Sequence, residues 1–131
     1  DFIQHAIRNP FDRLHLPLRI AMIISTRYIP ARFDAMTVWP LILVRPASRG
    51  DSALLLHEMV HYREQRNCGV LPWLLRYAMS ARFRLGAEVR GYRAQLAAGG
   101  ISLERAAALL MRYGVDITHA QAVALLKASK D

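Results

Sequence analysis

Two histidines and a glutamate fall within five residues, His57-Glu58-Met59-Val60-His61, and carry the strongest chemical signal in the sequence. Histidines four residues apart on a helix share one face about one turn apart, so both imidazoles reach a single ion. Zn²⁺ accepts such nitrogens at about 2.0–2.1 Å. Glu58 directly follows the first histidine, so its carboxylate points beside the metal and not at it. From there it takes a proton from a water that zinc has acidified to a pKa of about 7, and passes it to a leaving amine. This is the H-E-x-x-H arrangement, and the chemistry it implies is hydrolysis of a peptide bond. The plain alternative is a helix with two ordinary histidines and an incidental glutamate. Three fixed residues in five positions arise by chance in roughly one chain of this length in several hundred.

A hydrolytic zinc needs a third protein ligand and an open position. One extension of the motif places glycine three and histidine six residues after the second histidine. Here those positions hold Glu64 and Asn67. Glu64 would lie about 10 Å along the helix axis from His57, too far to share its ion. Cys68, near the helix end, folds back to the metal only with difficulty. Glu88 is the better third ligand. No other acidic residue lies between Glu64 and Glu88, and the intervening segment is long enough to return antiparallel to the motif helix. The alternative is an exposed helix carboxylate. Tyr92 and Gln95 share the helical face of Glu88. The Tyr92 phenol is placed either to stabilise an oxyanion, to order the ligand carboxylate, or simply to pack as a half-buried tyrosine. His5, His15 and His119 are further oxyanion candidates, though such histidines are more often structural or superficial. Trp73 and Tyr77, at i and i+4, read as core packing and not as substrate contacts.

Several elements must position these residues. Residues 1–30 suggest a helix and then an extended piece, with Ile29-Pro30 breaking the chain before the next element. Ala35 to Arg45 reads as one strand, and Pro40 in its middle makes it an edge or bulged strand. Asp51 or Ser52 caps a helix of about four turns that carries the motif and stops at Gly69. A second helix starts near Pro72 and runs to Met79. Ser80 to Gly86 is a break or a continuation, and a helix opening at Ala87-Glu88 runs to Ala98. Ser102 caps a helix through Tyr113. Thr118 and Gln121 form a capping box for a last helix to Lys127. The expected fold is α+β: a mainly helical single domain over 1–131, with a small edge-strand sheet beside the motif helix and a C-terminal helical hairpin over about 101–128.

The 131 residues suffice for one core, and 53% hydrophobic with 21% charged residues is a globular composition. No apolar run is long enough to be read as a transmembrane helix. The single cysteine allows no internal disulfide. With no signal peptide visible, the expected compartment is the cytoplasm. The chain opens on Asp1 without Met, which fits a processed N-terminus as well. The net charge of +8 is compatible with nucleic acid, anionic cell envelope or an acidic partner, but the arginines are spread along the chain.

His57, Glu58, His61 and Glu88 together resemble the gluzincins, zinc peptidases with H-E-x-x-H on one helix and a Glu ligand on the next. The likeness covers about Ala35 to Gln95 and is greatest to minimal, single-domain peptidases of this kind; small hypothetical proteins of bacteria and their phages carry similar stretches. The resemblance implies one zinc ion per chain and an edge strand, here Ala35 to Val44, that pairs with an extended peptide substrate. Gly91 and Tyr92 depart from it, standing where gluzincins often carry an acidic residue that supports the ligands. Pro40 interrupts the substrate strand.

Zinc-dependent endopeptidase activity is therefore the expected function, with Glu58 as base, Tyr92 beside it, and His57, His61 and Glu88 on the metal. Two other readings remain: a zinc-containing protein that binds without catalysing, and a basic nucleic-acid-binding protein whose C-terminal helices form a helix-turn-helix-like pair. Against the latter, Leu110 occupies a place that usually needs a small residue, and Thr118 to Lys127 carries little positive charge. Substrate identity and oligomeric state are not written in the sequence.

Overall fold

The computed structural model describes residues 22–127, so the helix expected near the start of the chain, His5 and His15 lie outside the described residues. Three short strands and five α-helices follow one another: β1 (Met22–Ser25), β2 (Ala35–Val38), β3 (Leu41–Val44), then α1 (Ser52–Cys68), α2 (Val70–Met79), α3 (Ala81–Ala97), α4 (Leu103–Leu110) and α5 (His119–Lys127). This is the expected α+β, mainly helical architecture. None of the described helices is long and apolar enough to cross a membrane.

The single strand read over Ala35 to Arg45 is in fact a hairpin. Trp39 and Pro40 form its turn, and β2 and β3 run antiparallel with Ala35 opposite Val44 and Val38 opposite Leu41. A proline that cannot donate to a ladder interrupts a strand, and here it sits where the chain reverses. β3 takes β1 on its other side in parallel, giving the order β1-β3-β2. β2 alone is thus the edge strand near the motif helix, and β3 is central.

Helix α1 explains the rest of the layout. The Asp51 carboxylate accepts from the Leu54 amide at 3.0 Å, which caps the first turn. Leu55, Met59 and Tyr62, at i, i+4 and i+7, pack with Ile42 of β3 into one apolar cluster. His57 and His61 turn to the neighbouring face, toward α3. Gln65, fully buried, joins α1 to the hairpin: its amide donates to the Thr37 carbonyl at 2.9 Å and accepts from the Trp39 amide at 2.7 Å. Gly69, at a φ of 92°, lets the chain leave α1 and enter α2 at once.

α3 differs from expectation at its start. Ser80 caps it, accepting from the Phe83 amide at 3.1 Å, and it runs unbroken from Ala81, so Glu88 lies two turns inside the helix and does not open it. On its other side α3 packs with α4 and α5 around Val89, Tyr92, Ala106, Ala107, Leu110, Ala122 and Leu126. α4 ends at Leu110 and not at Tyr113, and residues 111–118 form an extended turn before α5. That connection is longer than the three- or four-residue turn of a DNA-reading helix pair. The expected capping box of α5 is present and reciprocal: Gln121 donates from its amide to Thr118 Oγ1 at 3.1 Å, and Thr118 donates from its amide to Gln121 Oε1 at 2.9 Å.

Replacing Gln65 with Leu removes both bonds to the hairpin and leaves the Thr37 carbonyl and Trp39 amide without their partner. The expected cost is about 2 kcal/mol of stability. Urea unfolding measures it; an unchanged midpoint and slope would show that Gln65 does not hold β2 to α1.

Candidate metal centre

His57 and His61 project from successive turns of α1 onto α3, where Glu88 meets both. Glu88 Oε2 lies 3.2 Å from His57 Nε2, and Glu88 Oε1 lies 3.0 Å from His61 Nε2. One ligand atom from each of the three falls within 4.8 Å of the others, and all three residues are buried. Ligand atoms at about 2.0 Å around a tetrahedral ion stand about 3.3 Å apart, so the observed spacings suit a shared ion.

The outer nitrogens sharpen this. His57 Nδ1 faces Gln95 Oε1 at 3.0 Å, and His61 Nδ1 faces Glu64 Oε1 at 3.5 Å. Each imidazole is thereby set between two oxygen acceptors. A neutral imidazole has only one N–H, so donation at Nδ1 leaves the Nε2 lone pair turned toward the Glu88 carboxylate. Two lone pairs facing a carboxylate in a buried site repel unless a positive charge lies between them. At His61 the distance to Glu88 is short, yet neither ring nitrogen has a well-aligned hydrogen bond, as when ring and carboxylate are both aimed at a third point. The electrostatics agree. Burial opposes ionisation of Glu88, but the two histidines hold its carboxyl well below the usual range. Burial would likewise lower His61, but the Glu88 charge and the contacts with Glu64 and Glu88 raise it to about 10. The group could hold a metal ion, and the charge it favours at its centre is positive.

Gly91 makes the approach possible. A Cβ at that position would lie 2.6 Å from His57 Nε2, inside any tolerable contact. Glycine at this point of α3 is therefore a requirement of packing: the ring of His57 fills the space that a side chain would take. Support for the histidines comes from Gln95 on α3 and Glu64 on α1. Glu64 is itself held by Arg90 at 2.6 Å and accepts from the Trp73 indole at 3.3 Å.

Glu58 stands beside the three, on the side of β2. The Thr37 hydroxyl lies 2.7 Å from Glu58 Oε2 and donates to it, so the edge strand orients this carboxylate. Glu58 lines two adjoining clefts. The larger, about 510 Å³, is bounded by Met36 and Thr37 of β2, His61, Glu88, Trp73 and Tyr77. The smaller, about 190 Å³, reaches His57, Tyr92 and Gln95. Phe33 and Tyr113 line both, with ring centroids 6.3 Å apart.

Tyr92 packs edge-on against His57 at 4.5 Å between centroids, and its hydroxyl pairs with that of Tyr113 at 3.0 Å. It lines the smaller cleft alone. Tyr77, read from the sequence as core packing, instead donates its hydroxyl to Glu88 Oε1 at 3.1 Å, and Trp73 stacks on Tyr77 and packs at a tilt against His61. Burial and the nearby Glu88 charge push the phenols of Tyr77 and Tyr113 well above their usual range. His119 is exposed at the first position of α5, and Cys68 is exposed at the end of α1. Arg84 fixes the walls of the larger cleft: its guanidinium donates to the carbonyls of Tyr77, Tyr113 and Gly114. No family model, curated protein or solved structure matches the chain.

Gly91→Ala forces His57 away from Glu88 and is expected to weaken divalent-metal binding by roughly tenfold or more. Gly86→Ala, on the same helix, meets only the flexible end of Arg90 and serves as the control. Titration with zinc against a competing chelator distinguishes them; equal affinities would show that His57 does not take part.

Proposed function

We propose that the protein is a zinc-dependent peptidase in which His57, His61 and Glu88 hold the metal and Glu58 is the general base, as its likeness to the gluzincins implies. The observation that carries this reading is the placement of Glu58. It adjoins the three candidate ligands without joining them, lines the cleft beside them, and is oriented by a hydroxyl from the edge strand. A purely structural metal site does not need an oriented carboxylate that stays off the ion.

A bound zinc would supply Lewis acidity, acidifying a water and polarising the carbonyl under attack. The protein's own groups do the rest. Thr37 holds Glu58 Oε2, and Oε1 has no partner among the described residues, so it is the oxygen placed to receive a proton and return it to the departing amine. Tyr77 donates to Glu88 and steadies its orientation. Tyr113, on the turn after α4, lines both clefts and is better placed than Tyr92 to meet an oxyanion, while Tyr92 supports it from behind.

The substrate is read as an extended peptide added to β2. The Arg45 amide donates to the Asp34 carbonyl, so the antiparallel alternation turns the backbone groups of Ala35 and Thr37 outward. Gln65 already takes the Thr37 carbonyl. Ala35, which lines both clefts, therefore offers its N–H and C=O to a passing chain.

Glu58→Gln is expected to bind zinc like the wild type and to lose roughly 10²- to 10⁴-fold in hydrolysis of a peptide library. Undiminished hydrolysis would remove Glu58 as the base. Zinc binding by the wild type with no cleavage of any peptide would leave the metal a structural or binding role.

A further inference from the structure

Helix α2 is apolar on both of its faces. At about 100° per residue, Trp73, Leu74 and Tyr77 face inward and line the larger cleft. Leu71, Leu75 and Met79, spaced i, i+4 and i+8, form a stripe on the opposite side and are 78%, 61% and 79% exposed. Three of the six large hydrophobic side chains exposed among the described residues thus lie in one row, where scattered exposure would need no explanation. A helix apolar all round is ordinarily buried all round. Along the chain, the segment that carries this row has charge of one sign. Between Glu64 and Glu88 the chain has no acidic residue and carries Arg66, Arg76, Arg82 and Arg84. Arg84 is engaged with backbone carbonyls. Arg66, Arg76 and Arg82 are exposed and form no ion pair among the described residues.

We propose that α2 docks the protein on an anionic lipid surface. The helix lies in the plane of the interface, with Leu71, Leu75 and Met79 at the acyl boundary and Arg76, on the same helix, at the headgroup phosphates. This goes beyond the hydrolytic reading and stands without it. A second copy of the chain fits the stripe less well. Two-fold pairing of α2 with itself would bring like-charged arginines together, with no carboxylate from 65 to 87 to neutralise them. A protein partner is usually gripped by aromatic anchors, and α2 turns its aromatics inward and exposes only aliphatic side chains in this row.

Sedimentation of the full chain with vesicles tests the proposal, comparing phosphatidylcholine alone with phosphatidylcholine containing phosphatidylglycerol. The chain is expected to pellet with the anionic vesicles. Leu71→Ser/Leu75→Ser/Met79→Ser is expected to weaken that binding by roughly tenfold or more, and Arg76→Gln by about fivefold at low salt. A thermal melt checks that the triple variant is folded, and Leu75→Glu is the single-site version if it is not. The proposal is overturned by absence of binding to anionic vesicles or by equal binding of the variants. It is also overturned if the triple variant abolishes a concentration-dependent dimer, or a complex with another protein, while vesicles go unbound.

Discussion

A buried carboxylate faced by two buried imidazoles is the constraint on which the site depends. Glu88 turns one oxygen to His57 and the other to His61, and each ring has a further oxygen behind it, from Gln95 or Glu64. Removing such groups from water costs several kcal/mol unless their charges and lone pairs are met. With more acceptors than N–H donors, the arrangement calls for a positive charge at its centre. A cation coordinated by two nitrogens and an oxygen answers that demand without the second proton an imidazole would otherwise have to take up.

The fold brings these groups together by giving α1 two working faces. One is apolar and lies on the sheet through Leu55, Met59 and Tyr62; the other carries the histidines to α3. Close contact between α1 and α3 is needed at one place above all, where His57 occupies the space over Gly91. Gln65 and Thr37 then tie the edge strand to the same helix, so that the orientation of Glu58 and the position of β2 are set together. Arg45 and Arg84 act similarly on the cleft walls. The guanidinium of Arg45 donates to the carbonyls of Phe33 and Ile29, and that of Arg84 to those of Tyr77 and Gly114, so irregular segments are held by side chain to backbone bonds where no sheet or helix is available.

Much of this was legible in the sequence because it follows from local spacing. The i, i+4 histidines, the Asp51 and Ser102 caps and the Thr118–Gln121 box depend on residues a turn apart. The choice of Glu88 was strengthened by the absence of any other carboxylate between it and Glu64. The hairpin was hidden because Ala35 to Val44 is uncharged and, Thr37 apart, apolar around Pro40, and an unbroken strand and a tight turn read alike in such a run. Tyr77, Tyr113 and Thr37 were missed for a different reason. Their roles arise from contacts across the fold, 11 residues from Tyr77 to Glu88 and 21 from Thr37 to Glu58, which no periodicity records. Gly91 and Glu64 were noticed, but as a departure and as a rejected ligand. The missing piece was that a glycine in mid-helix marks the close approach of another group, and that a carboxylate too far to bind an ion is well placed to hold its ligand.

Zinc K-edge X-ray absorption on the zinc-loaded protein tests the central claim most directly. One ion per chain, with two imidazole nitrogens and at least one carboxylate oxygen at about 2.0–2.2 Å, is the predicted result. A thiolate at about 2.3 Å, which would implicate Cys68, or zinc bound no more tightly than by an unfolded chain, would contradict it.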